Sequence, residues 1–219
     1  MAQPKKAEQR GAEAREHMIK AFGGRKALQG LKEFQYTLRR TTYQADQVIR
    51  TETRYTLDLS QNYLTVCEKT SEGDSVLKQI DQSGAWLIQH EHKQALSQQE
   101  KEALQRVFFY NFIPMLRNEK LRFTFVNGTT YKGRQAAIVR VSDPENPKLV
   151  LDLFMDAENG QILTSSKATE GSQDPYPYFA DELEYSSIGK GVIFPLVYQV
   201  YVNGKLSSEG KFEDVGLKK

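Results

Sequence analysis

The chain is short of almost everything that announces a chemistry. It has a single cysteine, Cys67, and three histidines, so no intramolecular disulfide can form and no cysteine-rich zinc site can be built. It has no excess of one charge. Its 30 Lys and Arg face 28 Asp and Glu, a formal net charge of +2. Attraction to a polyanion has no support from so even a balance, and nucleic acid is not expected as a partner. No apolar run approaches the ~18–20 residues of a membrane-spanning helix, the most apolar stretch being Val107 to Leu116. Absent too are a G-x-S-x-G elbow, a phosphate-binding G-x-x-x-x-G-K-[ST] loop, a G-x-G-x-x-G fingerprint and an H-E-x-x-H pair. Gly189-Lys190-Gly191 is a bare G-x-G with a strand pattern after it instead of a helix, which reads as a turn. The chain is therefore not expected to be an enzyme, and no cofactor is expected.

What is present is length and pattern. At 219 residues, 39% of them hydrophobic, one β-rich domain with a sizeable core fits. Residues 7–219 are read as that domain, behind a disordered N-terminal tail at residues 1–6. The tail, Met1-Ala2-Gln3-Pro4-Lys5-Lys6, lacks the apolar core of a secretory signal. It fits the start of a mature chain after signal removal, with Met1 added, and equally a native cytoplasmic start.

Residues 7–22 carry Ala14, Met18, Ile19 and Phe22 on one side of a helix, with charges elsewhere. Gly23-Gly24 stops that helix, and a shorter helical piece follows from Arg25 to Leu31. From Glu33 the period changes to two: Phe34, Tyr36 and Leu38 alternate with Gln35, Thr37 and Arg39. Strands are predicted at 49–59, 63–69, 76–81, 85–92, 121–127, 134–142, 148–155, 162–168, 178–185, 192–202 and 205–215, with short turn-type connections that imply antiparallel neighbours. Between them, Ser97-Gln98-Gln99-Glu100 is a capping-box pattern that opens a further helix, which must bend or end before Pro114. The expected fold is α+β, mostly antiparallel β, a wrapped sheet of about eleven strands with two or three helices set apart.

The strand phases put a surplus of large apolar residues on one face. Phe34, Tyr36, Leu38, Tyr55, Leu57, Trp86, Ile88, Leu151, Leu153, Phe194 and Tyr198 would line it, continued by Phe123, Phe125, Leu149 and Leu196. Phe108, Phe109 and Phe112 are placed to plug it. An ordinary packed core and a ligand cavity both fit this pattern. His90 and His92, two apart on a predicted strand, would share a face and offer two imidazoles to a metal, with a third ligand still to be found. Cys67 reads as a packed thiol, and Asp181-Glu182 and Glu213-Asp214 as solvated surface.

Two stretches resemble the outer-membrane lipoprotein-sorting superfamily, the LolA/LolB-like envelope proteins. The first runs from His17-Met18-Ile19-Lys20-Ala21-Phe22-Gly23-Gly24 through Ala27-Leu28 to Phe34-Gln35-Tyr36-Thr37. The second joins Tyr131-Lys132-Gly133-Arg134 and Ile138-Val139-Arg140-Val141 to Leu151-Asp152-Leu153-Phe154-Met155-Asp156 and Asn159-Gly160-Gln161-Ile162-Leu163. The closing segment, Gly191-Val192-Ile193-Phe194-Pro195 through Tyr198-Gln199-Val200-Tyr201 to Phe212-Glu213-Asp214-Val215, is similar to the last hairpin of the group. The chain fits best with the poorly characterised branch of this superfamily.

The resemblance implies a half-open β-barrel covered by helices, and an apolar cavity for acyl chains. It also implies a place in the periplasm or at the periplasmic face of the outer membrane, with a signal or lipid anchor preceding the present N-terminus. Expected partners are a lipid or a lipidated protein, and other envelope proteins. Carriers of this kind also use charged residues for closure and hand-over, for which Arg39 and Arg40 are candidates by proximity. The leading expectation is a lipid- or lipoprotein-binding protein. The alternatives are an envelope sensor or interaction module of the same fold, and a metal-dependent hydrolase at His90 and His92.

Overall fold

The computed structural model describes residues 4–69, 75–89, 92–167 and 178–219. Helix α1 (Pro4–Ala21) starts at a proline, whose missing N–H is one that the first helical position leaves unpaired in any case. Residues 4–6 are thus helical, where polarity alone suggests a disordered tail. The expected stripe of Ala14, Met18, Ile19 and Phe22 is buried. Past the end of α1, Gly23 and Gly24 take φ of 109° and 92°, and the Gly24 N–H donates to the Ile19 carbonyl at 2.8 Å. Gly23 is needed twice over, because a Cβ there would lie 1.9 Å from the Gly191 carbonyl oxygen. The short helix α2 (Arg25–Gln29) follows.

Six strands come next: β1 (Glu33–Gln44), β2 (Gln47–Asp58), β3 (Tyr63–Lys69), β4 (Ser75–Asp81), β5 (Gly84–Gln89) and β6 (His92–Ala95). They form an antiparallel meander from β1 out to one edge of the sheet. Helices α3 (Gln98–Tyr110) and α4 (Phe112–Arg117) then cross to the opposite edge. A second meander returns from there through β7 (Arg122–Tyr131), β8 (Arg134–Asp143), β9 (Asn146–Asp156), β10 (Ile162–Ser166), β11 (Tyr178–Gly189), β12 (Val192–Val202) and β13 (Lys205–Lys218), and β13 pairs with β1. The result is one open antiparallel sheet of 13 strands with β6 and β7 at its two edges.

The expected capping box is present. The Ser97 Oγ accepts from the Glu100 N–H at 3.3 Å and the Glu100 carboxylate accepts from the Ser97 N–H at 3.0 Å. Ser97→Ala is expected to lower stability by about 1 kcal/mol, read as a small drop in the urea midpoint with the slope unchanged. The bend expected before Pro114 falls at Asn111, whose side chain accepts from the Ile113 N–H at 3.2 Å and so caps α4 while α3 ends. Pro114 sits in the first turn of α4, where proline is tolerated.

Residues paired across an antiparallel sheet share a face. The row Phe34–Leu57–Leu64–Ile80–Ala85 crosses β1 to β5 in register and is buried throughout, which identifies the inner face. The helices lie against this face, and the core forms between them.

Two sequence expectations need correction here. Residues 85–92 do not make one strand: β5 ends at Gln89 and β6 folds back on it, pairing His92 with Gln89 and Ala95 with Trp86. His92-Lys93-Gln94-Ala95 is exposed along its whole length, so no alternation marks it. Trp86 and Ile88 are also one residue out of phase with Ala85, which puts them on the outer face. The Trp86 Nε1–H donates to Asp81 at 3.3 Å, and the Lys93 ammonium lies 4.1 Å from the centre of its ring.

Candidate functional site

A cavity of about 720 Å³ lies between the inner face of the sheet and α3 with the start of α4. Alternate residues of β1 supply Tyr36, Leu38 and Arg40, and alternate residues of β11 supply Tyr178, Ala180 and Glu182. Strands β12 and β13 add Phe194, Tyr198, Val200 and Phe212, with Tyr55 from β2, Leu151 from β9 and Ser165 from β10. Helix α3 closes it with Ala103, Arg106, Val107 and Tyr110, followed by Asn111 and Phe112, and Lys167 stands just past β10.

Of the residues named from the sequence, Tyr36, Leu38, Tyr55, Phe112, Leu151, Phe194 and Tyr198 line this cavity. Phe34, Leu57, Leu153 and Phe109 are buried in the core, and Phe108 is half-buried against it. Trp86 and Ile88 lie on the outer face. His92 is exposed at the start of β6, and His90 falls outside the described residues. Among the described residues no group of three His, Cys, Asp or Glu side chains is close enough together to hold a metal ion.

The two arginines part company because neighbours on a strand face opposite ways. Arg39 faces outward and pairs with Glu52 and Glu213, each at 3.2 Å, whereas Arg40 faces the cavity and donates to the Ser208 Oγ at 3.3 Å. The two acids read as solvated surface part in the same way. Asp181 is buried on the outer side, where Tyr131 donates to it at 2.5 Å and Lys132 pairs with it. Glu182 lines the cavity. Arg106, Lys167, Tyr110, Tyr178 and Phe212 were not marked by any pattern.

Aromatic rings form the floor. The rings of Tyr36 and Tyr55 stack at 5.0 Å between centroids, and Phe212 meets Tyr36 edge-on at 5.1 Å. The Asn111 amide donates to the Tyr36 hydroxyl at 3.5 Å, tying the α3–α4 joint to the sheet. Burial is the main cause that raises the proton affinities of Tyr36, Tyr55, Tyr178 and Tyr198, the last pushed up to about 12 despite the opposing charge of Arg40. These phenols are neutral at physiological pH. Burial, helped by the negative charge of Asp181, pushes the Glu182 carboxyl up to about 8, so it too is mostly protonated near neutrality. The polar groups of the cavity are thus neutral donors and acceptors together with the cations Arg40, Arg106 and Lys167.

An open antiparallel sheet that folds over helices and leaves a part-apolar cavity defines a class of fold. Solved structures place it more narrowly. It is similar to a LolA superfamily protein from Nitrosomonas europaea, with a TM-score of 0.66 at 8% identity over 92% of each chain. It is also similar to a DUF1329 family protein from Desulfovibrio piger, with a TM-score of 0.63 at 8% identity over 95% of this chain and 93% of that one. A third is an outer membrane lipoprotein-sorting protein domain from Vibrio parahaemolyticus, with a TM-score of 0.60 at 10% identity over 96% of this chain and 93% of that one. The fold is LolA-like. No family model matches the chain, and no curated protein matches it in sequence.

Proposed function

We propose that this protein holds an acyl chain or a similar apolar group of a lipid or lipidated protein, in the bacterial cell envelope. One observation carries the reading. The fold leaves a cavity of about 720 Å³ walled by Tyr36, Leu38, Phe112, Leu151, Phe194 and Phe212, where a fully packed interior would have closed it. Each methylene group moved from water into such a space gains about 0.8 kcal/mol, so one chain binds usefully and reversibly. Solved neighbours concerned with lipoprotein sorting support the envelope location, and among the described residues no helix is long and apolar enough to cross a membrane.

The break at Asn111 gives the cover a joint. Helix α4 is buried along its apolar residues Phe112 to Leu116 and is anchored by Arg117, which donates to the Leu28 carbonyl at 2.9 Å and also to that of Leu31. Helix α3 buries only Leu104 and Phe109. In this reading α3 swings about Asn111 to admit the ligand, while α4 stays fixed.

Native mass spectrometry after gentle purification, with analysis of the lipid extract, tests the proposal. A bound lipid, or displacement of a fluorescent fatty acid from the emptied protein, is the expected result. An empty protein that takes up no such probe overturns it. A large side chain on the cavity side of α3 should block the site from within: Val107→Trp is expected to weaken probe binding about tenfold or more while shifting the melting temperature little.

A further inference from the structure

The polar groups of the cavity are set in order. Across the sheet Glu182 of β11 pairs with Tyr198 of β12, Tyr198 with Gly210 of β13, and Gly210 with Arg40 of β1. At a strand spacing of about 4.8 Å this row runs roughly 14 Å from one side of the cavity to the other. Gly210 leaves room for it, because a Cβ there would lie 2.3 Å from the Tyr198 ring. That ring therefore lies over Gly210, on the side of Arg40.

One step inward from this row the wall is apolar, with Leu38 paired to Phe212 and then Tyr36 and Phe194 beyond. One step outward stand Ala180, Val200 and Ser208, with Tyr178 nearer the edge. A single polar layer thus crosses a wall that is otherwise largely apolar, at a fixed depth.

The charges around the cavity differ from those beyond it, where even on the inner face Lys78 pairs with Glu68 at 3.0 Å. On the outer face Arg39, Lys69, Lys132, Arg134 and Arg140 each pair with a carboxylate. Around the cavity Arg40, Arg106 and Lys167 come from β1, α3 and the end of β10, and among the described residues none of them has an ion-pair partner. Lys167 instead lies 4.7 Å from the Tyr110 ring centre. Glu182 likewise has neither a hydrogen bond nor an ion pair among the described residues, although it is the one carboxyl group in the lining. Three cations in one lining, with no ion-pair partner among the described residues, favour an anion.

We propose that the cavity selects amphiphiles that end in an anionic oxygen group, a carboxylate or a phosphate, bound by Arg40 at the transverse row while the chain lies over Leu38, Phe212 and Phe194. The proposal rests on the apolar-ligand reading above and names the head group that goes with it. Glu182, at the far end of the row and carrying its proton near neutral pH, sets no negative charge against that group. The phenol of Tyr198, whose ring lies over Gly210 on the side of Arg40, is the further donor. Arg106 and Lys167 draw the anion toward the opening and make its arrival dependent on salt.

The test is a head-group series on one chain length. Hexadecanoate, hexadecyl phosphate, hexadecanol and hexadecylamine compete with a neutral fluorescent lipid for the full-length protein, with acetate and inorganic phosphate as chainless controls. The two anionic amphiphiles are expected to bind about tenfold or more tighter than hexadecanol, hexadecylamine weakest, and the chainless anions not measurably. Arg40→Gln should reduce the preference for anions over hexadecanol about tenfold, and Arg40→Lys should keep part of the preference. Equal binding of all four head groups, a preference for the amine, or an anion preference that survives Arg40→Gln would each overturn the head-group assignment with the apolar-ligand reading intact. Binding of inorganic phosphate as tight as hexadecyl phosphate would reduce the site to a bare anion site and overturn the amphiphile. If no member of the series binds, the apolar-ligand reading fails and this inference falls with it.

Discussion

Phe22→Ala is expected to lower the free energy of unfolding by about 4 kcal/mol. Its ring is fully buried just past the end of α1 and meets three others edge-on: Phe112 and Tyr185 at 5.9 Å and Phe194 at 6.5 Å. Those partners belong to α4, β11 and β12, so one side chain joins the first helix to the cover helix and to the sheet. Truncation costs its transfer from water and the edge-to-face contacts, and leaves a hole that must persist because the backbone cannot close over it. The Phe22 carbonyl accepts from the Ile193 N–H at 3.2 Å, and Gly23 touches the backbone at Gly191. Urea unfolding should show a lower midpoint with an unchanged slope. Phe22→Leu, which fills more of the hole, is expected to cost about half as much. A loss below about 1 kcal/mol would mean that the junction repacks, against the close packing inferred for it. Because Phe112 and Phe194 also line the cavity, the variant should weaken acyl-probe binding as well.

How much of this was legible in the sequence depends on how far each signal reached. Local patterns with a sharp physical cause were readable. The stripe Ala14, Met18, Ile19 and Phe22, the paired glycines after it and the Ser97–Glu100 box all lie where expected. Strand alternation was readable where large apolar residues mark one phase, as at Phe34, Tyr36 and Leu38 of β1, although Thr37 of the other phase is buried too. It failed where both faces are half-covered. On β5 the large residues Trp86 and Ile88 suggested the inner phase, but Ala85 is the residue in register with Ile80 and Leu64. Size outweighed register, and a slip of one residue exchanged the faces. Strand β6 has no apolar residue but Ala95 to betray it.

The candidate site was half legible for a different reason. Tyr36, Leu38, Tyr55, Phe194 and Tyr198 are large inward-phase residues, and a large inward-phase residue either packs or lines a space. Composition cannot separate the two. Phe34 and Leu57 belong to the same pattern and are packed, in one core cluster with Phe22, Leu28 and Leu116. The cavity begins where α3 bridges over instead. Its charged residues carried no pattern. Glu182 follows Asp181, and two adjacent acids read as surface, yet both are taken up by the fold on opposite faces. The positive φ of 54° at Glu184 interrupts β11 beyond them, so the alternation that would have separated them is short. Arg40 was named with Arg39 by proximity alone, although the phase of Leu38 on the same strand separates the two.

Glu182→Gln is expected to stabilise the protein at alkaline pH and to change little in acid. The folded chain holds the Glu182 proton up to about pH 8, against an ordinary value of 4.5. Below about pH 4.5 the carboxyl is protonated in both folded and unfolded chains, and the glutamine replaces one neutral group by another. As pH rises from there the unfolded chain gives up the proton while the folded chain keeps it. Stability of the natural protein falls across this interval and levels off above the folded value. A full difference between the two values, at about 1.4 kcal/mol for each tenfold change in proton affinity, is an upper bound. Water reaching the carboxyl through the cavity mouth reduces it to ~2–3 kcal/mol. Melting curves of the two proteins should therefore coincide near about pH 4 and separate toward about pH 9, with the glutamine variant the more stable. Coincident curves throughout would mean that Glu182 is solvated as an ordinary surface acid. A group that costs stability near and above neutrality, when an amide of the same shape would not, fits a site shaped by ligand contact. An anionic head group bound in the same cavity should raise its proton affinity further, so the gap between the two proteins at alkaline pH should widen when hexadecanoate is present.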